Sequence, residues 1–127
     1  MLRRVICIGL MAGAAVLSLP ARAGGDAGRG ASLFATHCSE CHSMREGKDK
    51  KGPSLFAIVG KPAAASPGFV YSDAMRASAL KWSAENLDAY IEAPGRKVPG
   101  GKMKFDGLPA AAERADILAY LASVGAH

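Results

Sequence analysis

Sustained strand alternation is missing from this sequence, so an extended β-sheet is not expected. No internal repeat and no second domain can be found in its 127 residues. Cysteine is scarce: Cys7, Cys38 and Cys41 are the only three. That excludes the disulfide-rich secreted scaffolds. A second Cys or His pair downstream of Cys41 is also lacking, since His127 stands alone at the end. Charge of one sign is modest. The formal balance is +5, and Arg3, Arg4 and Arg22 carry three of those charges. Without them the chain holds +2, too little to argue for nucleic acid.

The apolar run is short. Val5–Leu19 carries no charge, follows the positive Arg3-Arg4 pair, and ends at Ala21-Arg22-Ala23. A bilayer-spanning helix needs ~20 apolar residues. The three-part pattern instead fits an export signal cleaved after Ala23. The expected organisation is a signal peptide over 1–23 and one domain over 24–127, exported to the periplasm without stable membrane insertion. Cys7 leaves with the leader.

What remains reads as a small all-α protein with long loops. Asp26 caps a helix through about His37, with Leu33 and Phe34 as its large apolar groups. Gly28 and Gly30 lie within it, each at a cost of ~1 kcal/mol against alanine, which points to close backbone packing. Residues 43–70 are dense in glycine and proline and read as irregular loop. Such a loop is unusual inside a small domain unless it wraps something. Ser72 or Asp73 opens a short helix through Ala79. Ser83 opens another through Glu92, stopped by Pro94 and Gly95. Residues 94–109 are again loop. AAAERADILAYLASVG is the clearest helix, with Pro109 suited to its first turn and Gly125 to its stop. So few helices bury only a modest core. A large apolar cofactor would supply the missing part.

The chemistry lies in CSECH, Cys38 to His42. Four readings compete. A disulfide would close a very small loop and leave His42 unexplained. A thioredoxin-like pair belongs beside a βαβ pattern, which is absent. Zinc wants four ligands from separated pairs, whereas His37, Cys38, Cys41 and His42 crowd together. The fourth reading is covalent haem, for which C-x-x-C-H is the attachment signature. Residues three apart on a helical turn point the same way, so both sulfurs can meet one haem edge. His42 can then bind the iron. The residues favour this reading.

For the opposite face the exported chain offers Met44, Met75 and Met103. Met44 follows His42 too closely, and Met75 sits in a short helix where packing explains it. Met103 lies in VPGGKMKF, where Pro99, Gly100 and Gly101 let backbone approach a flat ring. It is favoured over a five-coordinate iron, and thioether ligation raises the potential.

These motifs together resemble one family. Gly30 to Phe34, CSECH, KKGPSL, GFVYSDAM, Trp82, LDAYIEAPGRKVPGGKMKF and ERADILAYL run in order from about Gly30 to Gly125. The chain is similar to class I cytochromes c, especially bacterial soluble forms of the cytochrome c2 and c550 type. The resemblance implies a small cytochrome c fold, with three main helices, short helices and long loops wrapped round one haem c held by Cys38 and Cys41. It implies that Gly30 and Phe34 pack the first helix on the last, near Ile117 and Tyr120. It implies that the Pro53 carbonyl accepts from His42, that Tyr71 and Trp82 reach a haem propionate, and that Tyr90 lies in the pocket near Met103. Departures from the family pattern fall at Lys61, Met75, Lys97 and Gly101.

The function so implied is a mono-haem, monomeric one-electron carrier that is not an enzyme. Lys48, Lys50, Lys51, Arg96, Lys97, Lys102 and Lys104 are expected to form a basic rim toward acidic patches on membrane redox complexes, oxidases or dehydrogenases. Nucleic acid is not an expected partner. The alternatives are an open-site haem protein, as a gas sensor or minor peroxidase, and a dedicated haem subunit of one dehydrogenase.

Overall fold

The computed structural model describes residues 24–125. Residues 1–23, expected as a leader and holding Cys7, and His127 lie outside the described residues. Three helices form the frame: α1 (Ala27–His37), α3 (Ala84–Glu92) and α5 (Ala111–Ser123). Two short ones complete it: α2 (Asp73–Ala77) and α4 (Pro94–Lys97). Among the described residues there is no strand, only an isolated antiparallel bridge between Pro62 and Lys81.

Side-chain caps start three of the helices where the sequence places them. Asp26 accepts from the Arg29 amide, Ser72 from Met75 and Ser83 from Asn86, each satisfying a donor the helix leaves free. Three boundaries differ from expectation. Helix α2 ends at Ala77, because Ala79 takes a left-handed φ of 53° that no helix continues through. Pro94 stops α3 but opens α4, where its missing N–H costs nothing. Pro109 lies outside α5, one residue before the cap Ala110.

The centre of the fold is the contact of α1 with α5. Phe34 and Tyr120 meet with ring centroids 5.5 Å apart. Phe34, Leu108, Ile117 and Leu121 are buried together. Gly30 makes this approach possible, since a Cβ there would lie 1.9 Å from the Asp116 carbonyl oxygen. Asp116 also ties the start of α1 to α5. It accepts from the Asp26 amide at 2.7 Å and from Arg29 Nε at 3.0 Å. Arg29 holds the Asp116 carboxyl below the ordinary carboxylate value.

The core remains thin. Ile117 is the only large side chain with under 2 % exposure among those described. Leu33, Met44, Leu55, Ile58, Ile91 and Phe105 pack on the core yet stay half-buried. Apolar groups left at that level are what a chain built around a further apolar body would show.

Candidate haem site

Helix α1 delivers the CSECH motif. Cys38 is its C-cap, and the Cys41 and His42 amides both donate to the Cys38 carbonyl, at 3.1 and 2.9 Å. One further helical turn thus carries both sulfurs. The thiols are unpaired, so the disulfide reading is not realised. Burial, and then the neighbouring Cys41, push the Cys38 thiol up to about 11. Among the described residues, no three His, Cys, Asp or Glu side chains gather to hold a metal ion by themselves. The zinc reading fails on that ground.

His42 is fixed by the segment that follows the motif. Its Nδ1 lies 2.8 Å from the Pro53 carbonyl oxygen, so Nδ1–H donates there and Nε2 is left for a ligand. Gly52 packs against the ring face, and a Cβ there would come within 2.4 Å of Cε1. Burial pushes the imidazole below its ordinary value, which keeps it neutral and fit to coordinate.

The remaining expected residues fall into two groups. Trp82 is buried and lies against Tyr90, with ring centroids 5.0 Å apart. Burial pushes the Tyr90 phenol up. Tyr71 packs edge-on to Phe69 at 4.8 Å, and its hydroxyl accepts from the Ser66 amide at 3.0 Å. The Tyr71 proton is then free to donate elsewhere.

Met103 is half-buried on the loop after α4, and that loop is tied along its length. At its start the Gly101 amide donates to the Val98 carbonyl at 3.1 Å. In its middle Lys102 donates to the Val70 carbonyl and sits 5.4 Å over the Phe69 ring. At its end the Leu108 amide donates to the Ile91 carbonyl at 2.9 Å. Buried Arg114 donates to the carbonyls of Leu108 and Pro109 and to Asp88.

The donor set fits haem c. It offers two unpaired thiols one turn apart, a neutral imidazole oriented through its far nitrogen, and a soft thioether on a restrained loop. The Cytochrome c family model matches residues 27–125.

This chain belongs to the cytochrome c family.

It is 40 % identical over 97 residues to cytochrome c of Euglena viridis, covering 76 % of this chain and 95 % of that one. It is 44 % identical over 97 residues to cytochrome c2 of Rhodopila globiformis, covering 76 % and 92 %. The solved structure of cytochrome cH from Methylobacterium extorquens superposes with a TM-score of 0.74 at 38 % identity, covering 78 % of this chain and 99 % of that one. As a class I cytochrome c, the protein carries one haem c, bound covalently through Cys38 and Cys41, and belongs to electron transport. The all-α cytochrome c fold holds as expected.

The seven expected rim cations do not stand alike. Lys50 donates to the Ser39 carbonyl, Lys51 pairs with Glu40, and Lys102 is held at Val70. Lys97 is half-buried, while Lys48, Arg96 and Lys104 are exposed. Sequence reasoning also passed over Gly52 and Arg114. Gly52 was visible beside Pro53 in KKGPSL, but nothing in the sequence marks Arg114 as buried.

Proposed function

We propose that this cytochrome c is a periplasmic one-electron shuttle, working as residues 24–127 after loss of 1–23, with His42 and Met103 as its axial ligands. Haem c, when bound, supplies reversible one-electron chemistry at its iron. The chain supplies orientation, access and docking. His42 presents Nε2 because Nδ1 is committed to Pro53, and that bond carries the reading. Hydrogen bonding at Nδ1 strengthens the imidazole as a donor. Met103 would hold the iron through its thioether, from a loop restrained at Gly101, Lys102 and Leu108. With both ligands in place, small molecules would be kept from the iron.

Trp82, Tyr71 and Tyr90 supply N–H and O–H donors, of which Trp82 and Tyr71 are assigned to the haem propionates and Tyr90 to the Met103 side. Lys104 follows Met103 directly, Arg96 and Lys97 precede it on α4, and none of the three has an ion-pair partner among the described residues. With Lys48 they are the cations assigned to an acidic redox partner. Among the described residues no helix is long and apolar enough to cross a membrane.

The test is optical. Carbon monoxide is added to the reduced protein and to Met103→Ala. The wild-type spectrum is expected to stay unchanged and that of Met103→Ala to shift. Ready binding by the wild type would replace this reading with open-site haem chemistry.

A further inference from the structure

We propose that Lys50 and Lys51 are positioning residues for His42: with Gly52 and Pro53 they form a strap bonded in register along Ser39–His42.

Four successive residues meet four successive residues at a constant offset. Lys50 Nζ donates to the Ser39 carbonyl, and Lys51 Nζ lies 2.8 Å from Glu40 Oε1. The Gly52 amide donates to the Cys41 carbonyl at 2.8 Å, and Pro53 accepts from His42 at 2.8 Å. On either side of the strap the chain returns to Ser43. Its hydroxyl donates to the Lys48 carbonyl, and its carbonyl accepts from the Leu55 amide at 2.9 Å.

Register is what this arrangement provides. Pro53 has no N–H with which to fix its own position. Its carbonyl meets His42 only if the residues before it are correctly placed. Gly52 must lie flat on the imidazole, because any side chain there would strike the ring. The two lysines place that pair from outside. Lys50 reaches a carbonyl just past the end of α1, where a cation meets the negative end of the helix. The Lys51–Glu40 pair is exposed, with 68 % and 83 % of the side chains accessible, so it adds little to global stability. Its value is the local choice of strap position. Each ammonium is also partly committed to the chain, which leaves it less available to an acidic partner than Arg96 or Lys104.

The inference rests on His42 as an axial ligand. It is tested on the haem-loaded, reduced protein by NMR, following hydrogen exchange of the Gly52 amide and the His42 Nδ1–H. In the double variant Lys50→Met, Lys51→Met both rates are expected to rise by a factor of about 3–10, as for loss of two exposed polar contacts. Arginine at both positions should restore slow exchange. So should the charge exchange Glu40→Lys with Lys51→Glu, which preserves the pair and the net charge. Wild-type rates in the methionine variant would overturn the proposal. So would an equal rise at the buried Ile117 amide, which would make the lysines contributors to overall stability alone. Failure of His42 ligation is distinguishable: it would alter the absorption spectrum with both lysines in place.

Discussion

Gly30→Ala tests the contact on which the fold turns. The added Cβ would sit 1.9 Å from the Asp116 carbonyl oxygen and 2.8 Å from Tyr120 Cβ. Non-bonded carbon settles at ~3.5–4.0 Å, so α1 and α5 must part by at least ~1.5 Å. A backbone carbonyl in the middle of α5 cannot swing aside as a side-chain tip could. A radial gap of ~1 Å already forfeits up to about half of a contact's dispersion energy, and here the gap would open between Phe34, Ile117 and Leu121. Overpacking of this kind costs ~1–3 kcal/mol, and the upper end applies because backbone must move. Alanine returns ~1 kcal/mol through helix propensity. The expected net loss is therefore ~2 kcal/mol. Guanidinium unfolding of the haem-loaded protein, followed by haem absorbance, measures it. Gly28→Ala is the control. Its Cβ would meet only the Asp26 carboxylate, at 3.2 Å, and Gly28 is exposed. That variant should gain up to ~1 kcal/mol. If Gly30→Ala proves as stable as Gly28→Ala, the argument from close helix approach is wrong.

Arg114→Ala should destabilise by ~2 kcal/mol in the same unfolding assay, because it leaves the Leu108 and Pro109 carbonyls and Asp88 without their donor. It should also let carbon monoxide reach the reduced iron more readily, since the Met103 loop loses its far anchor; unchanged access would separate that anchor from ligation. Asp116→Asn should flatten the acid limb of the stability curve. A carboxylate held low in the folded state contributes above its unfolded value near 3.8, and that contribution is lost as pH falls through the folded value. Unfolding midpoints measured from pH 6 down toward the lower limit of solubility would show it, and parallel curves for wild type and variant would exclude Asp116 as the source.

Much of the site was legible because it is local. CSECH carries two thiols and an imidazole within one turn, and no other part of the chain is needed to read that chemistry. Asp26, Ser72 and Ser83 announced their helices because capping acts over three residues. Ala57, Ala64 and Ala79 were not legible as left-handed residues, since alanine gives no sign of a positive φ. The Ala57 amide, for one, meets the Val124 carbonyl from far along the chain, at 3.3 Å. Lysines in polar loops likewise read as one rim, because charge in a sequence shows nothing of what each ammonium meets.

The sequence by itself determined the attachment motif, the starts of the capped helices, and the need for something apolar between them. These follow from spacing and composition, which act at short range. Only the tertiary structure decided that Gly30 admits the Asp116 carbonyl, that Lys102 holds the Met103 loop at Val70, and that residues 50–53 lie in register on 39–42. Those contacts depend on where separate segments meet, and that is set by packing of the whole chain.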